Sequence, residues 1–334
     1  MLRCLALVTL LLCCGPLSAT ARPLLLISTE NGPEHVQTII VQRFVDRVRA
    51  CCAGRVDVDF RNDGTLYRDR DVLSALAQGK VAMAVAGTWQ LDRQAPGVGV
   101  FMLPVLYGRT EEQVQRIDDS PVLDLMNREL ERSLGAVVLG RWVGLGFVHS
   151  FTLRQPIEGV GSLKGLRMRS PGGIANAWRL SALGAEPVPI AWTDLPFALS
   201  DGRVDGLITT FASLDSAGLW QSGIRYALED RQSYSMYVPL VSGYFWRSLD
   251  GATRADLRTA WEAGVEDARA LTRESQVKAR ERAIAAGVRV ITIDQAESHR
   301  VRAKLAVDQP VIAQRVGVDD GILAAMTAAL GTTP

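Results

Sequence analysis

Side chains that do chemistry are sparse in this chain and poorly spaced for catalysis. Its three histidines, His35, His149 and His299, lie far apart, and none belongs to an HExxH or comparable metal-ligand spacing. No GxSxG elbow and no P-loop occurs. Ser275-Gln276-Val277-Lys278 has the form SxxK, but it falls inside a long helical pattern without companion motifs and is read as chance. Cys51 and Cys52 are adjacent, with no CxxC or metal spacing around them; a strained vicinal disulfide, a bond between chains and two plain thiols at a helix end all remain open. What remains is guanidinium chemistry. The 37 basic residues include only four lysines, Lys80, Lys164, Lys278 and Lys304. An arginine offers two parallel N–H donors that match both oxygens of a carboxylate, a fork that lysine does not reproduce. Most arginines are solvated surface residues, but Arg169 ends a predicted strand and directly precedes Ser170-Pro171-Gly172-Gly173, a setting that suits a binding residue.

The elements that position such a residue begin after an export signal. Arg3, the apolar run Leu5 to Cys14 and the small-x-small triplet Ala19-Thr20-Ala21 read as a cleavable signal peptide over residues 1–21, so the exported chain begins near Arg22 and is expected in the periplasm. A lipoprotein reading is weaker because Leu12-Cys13-Cys14 lacks the small residue expected before a lipidated cysteine. No segment approaches the roughly 20 apolar residues of a membrane-spanning helix. The formal charge is +1 with both signs interspersed, which gives nucleic acid or an anionic membrane nothing to hold.

From Arg22 onward the chain alternates strands and helices. Leu24 to Ser28 is a strand, His35 to Ala50 an amphipathic helix, Val56 to Phe60 an alternating strand, Val72 to Gln78 a helix, and Val81 to Ala86 a buried strand. Connections too long for hairpins favour a mainly parallel sheet with helices on both faces. Such sheets bind ligands beyond the carboxyl ends of their strands, which places Glu30, Asn31, Gly87, Thr88 and Trp89 at a pocket wall. Glu111 to Leu134 carries two helical stretches, and Val137 to Leu145 is a strand-like run leading through Gly144 and Gly146, a crossing point between lobes. Strands are expected again at Gly165 to Arg169, Glu186 to Ile190 and Val204 to Ile208, with helices at Gly173 to Leu183 and Asp194 to Ser200. From Thr253 to Ala286 one apolar face persists over a helix long enough to run along both lobes.

Four blocks in the middle of the chain resemble a known family. Ser162-Leu163-Lys164-Gly165-Leu166-Arg167-Met168-Arg169-Ser170-Pro171 is similar to its DLKGLKIRVP strand, and Ala182-Leu183-Gly184-Ala185-Glu186-Pro187-Val188-Pro189-Ile190 to ALGANPVPM. Trp192-Thr193-Asp194-Leu195-Pro196-Phe197-Ala198-Leu199 stands where FSEVYTAL is usual, and Asp201-Gly202-Arg203-Val204-Asp205-Gly206 resembles QTGVVDG. Their order and spacing identify the chain as similar to the DctP-type solute receptors of TRAP transporters. The resemblance implies an α/β, two-lobed periplasmic-binding-protein-like fold with a long helix spanning both lobes. Lobe I would take residues 22–146 and 235–274, and lobe II residues 147–234 and 275–334.

It also implies a non-enzymatic receptor that captures a small carboxylate and delivers it to membrane permease subunits; no cofactor and no metal ligand is assigned, and whether a metal ion assists stays open. Arg169 matches the family's arginine that clamps the substrate carboxylate. Trp192 falls where an aromatic ring lies against the ligand, although a core tryptophan is the competing reading. His149 falls where some members carry a second arginine, so it is either a single hydrogen-bond donor to the ligand or a satisfied residue near the hinge. Thr209, Thr210 and Phe211 follow the Asp205-Gly206 turn and complete the expected wall. The chain departs from the family where Leu207-Ile208-Thr209-Thr210 replaces a usual QEN after VDG, and where Pro196 replaces a tyrosine. A less polar wall favours a keto, hydroxy or aromatic monocarboxylic acid over a polyhydroxylated sugar acid. A sensor partner of a signalling receptor, with the same pocket, is the alternative function.

Overall fold

The computed structural model describes residues 22–118 and 120–331; the expected signal peptide lies outside them. Ten strands form one twisted sheet: β1 (Leu24–Ser28), β2 (Asp57–Arg61), β3 (Met83–Gly87), β4 (Ala136–Val138), β5 (Val143–Thr152), β6 (Arg167–Ser170), β7 (Glu186–Pro189), β8 (Gly206–Thr209), β9 (Tyr226–Ser242) and β10 (Arg289–Thr292). Their order is β2-β1-β3-β9-β5-β8-β6-β7, with β4 and β10 also on β9. The parallel pairs β1 with β2 and β3 belong to one lobe, and β6 with β7 and β8 to the other. The sheet is mixed rather than mainly parallel as the alternation had suggested. Each antiparallel pairing involves β5 or β9, the two long strands shared by the lobes.

β9 is the part that the apolar pattern did not disclose. The first part of its 17 residues carries Glu229, Asp230, Gln232, Ser233 and Ser235, so that part reads as polar although most of it is buried. β5 also passes from lobe to lobe, and register shifts at Gly144/Gly146 and Val148/Ser150 bend its pairing with β9. Helices cover both faces of each half-sheet, giving two apolar cores per lobe. In the first lobe Phe44, Val45 and Trp261 build one core, and Phe101, Leu130 and Met126 the other. In the second, Leu195 and Phe211 belong to one core and Met168 and Leu180 to the other.

The long helix is two helices, Gly251–Glu262 and Val265–Ala285, rather than one. Arg47 Nε donates to the Ala260 carbonyl at 2.6 Å. Gly264 N, the donor that would continue the helix onto that carbonyl, bonds Trp261 O at 3.0 Å instead. A side chain at Gly264 would collide with the Arg47 guanidinium, so glycine and arginine together fix the break. The second helix, about 31 Å long at 1.5 Å per residue, packs on β5 and on Phe211–Ser216 and also touches Val36–Cys51. Cys52 is buried and Cys51 exposed, both as thiols with their sulfurs 2.7 Å apart.

Gly206 sits at the start of β8, where an added methyl would meet the Phe151 carbonyl oxygen and the Met168 sulfur. Gly206→Ala is expected to destabilise the protein by about 1–3 kcal/mol, as overpacking does. Urea denaturation reads this as a lower midpoint at unchanged slope.

Candidate functional site

Arg169 is placed by β6, which is hydrogen-bonded on both sides: Arg169 stands beside Val188 of β7 and Leu207 of β8. Alternation sends the preceding Met168 into the core and Arg169 toward the cleft. Arg169 as a residue is 2% exposed. Its one hydrogen bond among the described residues runs from Nε to Ile190 O at 2.9 Å. It lies 5.6 Å from the centre of the Trp192 ring, a cation–π distance. Burial pulls its pKa down to about 10, partly offset by the charge of Asp69, so it stays cationic at neutral pH. Both Nη groups are left for whatever occupies the adjoining space.

That space is a cavity between the lobes. The first lobe contributes Glu30 and Asn31 from the loop after β1, Asp69, Trp89, Gln90 and Met102. The shared strands contribute Leu145, Val148, Ser233, Ser235 and Tyr237, and the second lobe Arg169, Pro171, Asn176, Trp192, Ile208, Thr209, Thr210 and Ser213. Contacts close its mouth. Trp192 N donates to Asp69 Oδ2 at 3.1 Å, Arg68 bonds Thr193 Oγ1 at 2.7 Å and pairs with Asp194, and Ile174 N donates to Asp92 Oδ2 at 3.0 Å. His35 Nε2 meets Ser213 Oγ at 3.1 Å.

A second buried guanidinium stands behind the wall. Arg179 donates to Gln232 Oε1 at 3.1 Å, to Asn176 Oδ1 at 2.6 Å and to the Met102 carbonyl. Asp230 Oδ2 accepts from Gln232 at 2.8 Å and from Ser150 at 2.9 Å, and burial pushes its carboxyl up to about 6. Arg179 is thus committed to the fold, fixing Asn176 and Met102 at the cavity surface, whereas Arg169 has donors in hand.

Of the residues singled out from sequence, Arg169, Trp192, Glu30, Asn31, Trp89, Thr209 and Thr210 meet at this cavity. Thr210 also caps the following short helix, its Oγ1 accepting from Ser213 N at 3.2 Å. Gly87 lies under Trp89, in a place where any side chain would strike the indole, and Thr88 is buried beside it. His149 and Phe211 line a different cavity, beneath the helix Val265–Ala285, together with Arg231, Tyr234 and Gln276. There His149 Nδ1 accepts from Arg231 N at 3.3 Å, which leaves its proton on Nε2, and burial lowers its pKa to about 4. Asp69, Gln90, Asn176, Ser233, Ser235 and Tyr237 were not foreseen. Asp69 sits in a charged stretch that reads as solvated surface, and the others lie in segments with no distinguishing spacing. Among the described residues no group of three His, Cys, Asp or Glu could hold a metal, and no helix is long and apolar enough to cross a membrane.

Two lobes joined by shared strands, with an arginine-bearing cavity between them, are the architecture of a solute-binding protein. Residues 27–314 match the family Bacterial extracellular solute-binding protein, family 7 (DctP), and the chain belongs to that family. It is 26% identical over 230 residues to the C4-dicarboxylate-binding periplasmic protein DctP of Rhodobacter capsulatus, covering 68% of this chain and 67% of that one. Among solved structures it is similar to a TRAP periplasmic solute-binding protein of Ralstonia eutropha H16 with bound (S)-2-acetolactate. That likeness has a TM-score of 0.86 and 22% identity, over 94% of this chain and 100% of the other. The sugar acid binding protein DctPAm of Advenella mimigardefordensis, in complex with galactonate, gives a TM-score of 0.85 at 20% identity over 93% of this chain and 100% of that one.

The neutral, buried His149 makes stability depend on pH. Its folded pKa is depressed, so its contribution is intact above the ordinary value of 6.5 and is lost as pH falls toward 4. Relative to His149→Gln, the wild type is expected to lose on the order of 3 kcal/mol between pH 7 and pH 4. Urea denaturation of both proteins across that range measures the difference; parallel profiles would contradict it.

Proposed function

We propose that this protein is a periplasmic receptor, exported by a cleavable signal over residues 1–21, that captures a small carboxylate and delivers it to the membrane permease of a TRAP transporter. It performs no chemistry on the ligand. The observation that carries this reading is Arg169: a guanidinium removed from water, held by a single bond to Ile190 O, with its fork toward an enclosed cavity. Removing a charge from water is costly unless it is paired. A ligand carboxylate supplies the missing partner in the geometry that a guanidinium favours. Charge-assisted hydrogen bonds contribute about 1.5–3 kcal/mol each, a large share of the roughly 8 kcal/mol that micromolar binding needs.

The remaining wall residues complete the site in this reading. Trp192 holds the guanidinium on one side and covers the ligand, Trp89 and Tyr237 form an apolar wall, and Thr209, Asn31 and Ser235 offer neutral hydrogen bonds. Asp69 and Asp92 of the first lobe cap backbone N–H groups of the second. These contacts form only when the cleft is shut, so they supply the differential stabilisation that lets a ligand shift the protein toward closure. The shut form is the one a permease would recognise. The lobes divide within β5, within β9 and within the helix Val265–Ala285, which makes these three crossings the hinge; the helix Asp320–Leu330 returns to pack on Val122–Leu134.

Two variants test the anchor by titration calorimetry against the tightest carboxylate from a thermal-shift screen. Arg169→Ala is expected to weaken binding on the order of a hundredfold or more. Arg169→Lys keeps the charge but not the fork and is expected to lose at least about tenfold. Unchanged affinity in both would remove the anchor from the account.

A further inference from the structure

The cavity has a second pole. Glu30 is 5% exposed and lines the same space as Arg169, yet no ion pair joins the two. Its carboxyl is surrounded by donors: Gln37 Nε2 reaches Oε2 at 3.1 Å and Gln90 Nε2 reaches Oε1 at 3.4 Å. The Asn31 amide nitrogen is already spent on Gln37 Oε1 at 2.6 Å and the Tyr237 hydroxyl at 3.1 Å. Neutral donors suit the ionised form of a carboxyl, but they do not compensate for its burial. The one charge that acts on Glu30 among the described residues is Asp69, of like sign, and burial pushes its pKa up to about 7. His35, at the start of the adjacent helix, is held neutral by burial, with a pKa near 3. Tyr237 faces Glu30 from β9 with its hydroxyl pushed above the usual range, so it carries no charge. What Glu30 lacks is a cation. Beside it stand two aromatic rings, Trp89 and Tyr237, edge to face at 5.7 Å, which favour a positive charge at their surface.

We propose that Glu30 sets the ligand's second feature: the cavity takes a zwitterion, with a carboxylate on Arg169 and a positively charged nitrogen against Glu30, Trp89 and Tyr237. This rests on the carboxylate reading of Arg169 and narrows it. A dicarboxylate would bring its second charge toward Glu30 and Asp69, two like charges in a space with little water. An oxo acid would need Glu30 protonated and donating, although its neighbours are arranged to donate to it; a hydroxy acid can donate to the ionised form but brings no charge to offset its burial. A cationic ligand holds Glu30 ionised, so binding near pH 7 expels a proton that the empty site partly retains.

Titration calorimetry tests this with sets of 2-amino, 2-hydroxy and 2-oxo acids sharing a side chain, together with 4-aminobutyrate, glycine betaine and succinate. Measurements at pH 6 and pH 8, in buffers of different ionisation heat, report proton release. The expected result is that the tightest zwitterion binds at least about tenfold better than its hydroxy and oxo counterparts at pH 8. Its affinity should fall about tenfold at pH 6, with net proton release. Glu30→Gln should abolish both the preference and the pH step. Should that variant fail to fold, the pH step in the wild-type protein stands as the test. Tighter binding of the hydroxy or oxo acids or of succinate, no pH step, or a folded Glu30→Gln with the same ranking would overturn the zwitterion while leaving the Arg169 anchor in place. Binding by no carboxylate at all would overturn the receptor reading on which it rests.

Discussion

A guanidinium withdrawn from water with its terminal donors uncommitted is the constraint around which this molecule is arranged. Two arginines are fully buried near the cleft, and their difference is instructive. Arg179 has each nitrogen engaged by Gln232, Asn176, Met102 or Ser233, and an acidic neighbour, Asp230, within the same network. Arg169 has the Ile190 carbonyl and the Trp192 ring. Both carry the desolvation cost of a buried cation. In one case the fold meets that cost; in the other the fold holds the charge in position, and in the proposed function a ligand carboxylate supplies the balance.

Such a group can be held only where backbone is rigid on every side and the space before it can open. β6 supplies rigidity, being paired on both edges, and Ile190 fixes the side chain at Nε. In the proposed closure, β5 and β9 supply the opening. Because both strands run through both lobes, their two faces line two different spaces: Ser233, Ser235 and Tyr237 face the cavity, and Arg231 and Tyr234 face the hinge pocket. The polar interior of β9 belongs to this arrangement, since Gln232, Ser150 and Asp230 satisfy one another where the lobes meet.

Much of this was legible in the sequence. Apolar alternation and helix stops located β1 and β2 and the helix Val36–Cys51 to within a residue or two, and four motif blocks located the second lobe and Arg169. The rule that ligands gather beyond strand carboxyl ends brought Glu30, Asn31 and Trp89 to the cavity. Three features were hidden for physical reasons. The first half of β9 hides its burial, because Asp230, Gln232 and Ser233 are satisfied in part by Ser150 and Arg179, distant in sequence. The helix break comes from Arg47 taking a carbonyl more than two hundred positions away. The side chosen by His149 depends on where β5 bulges: Leu145 and Val148 share the cavity face although three residues apart, and His149 turns to the other. Asp69 was hidden differently, since its role at the mouth is to cap Trp192 N, a contact between segments that no local pattern links.

A crystal structure of the protein with its tightest-binding small carboxylate tests the role of Arg169 most directly. The ligand is predicted to be enclosed between the lobes, with both carboxylate oxygens bonded to the Nη groups of Arg169 and the Trp192 ring still stacked beside the guanidinium. A ligand held elsewhere, with the Arg169 fork turned to a protein carboxylate or to bulk water, would contradict that role.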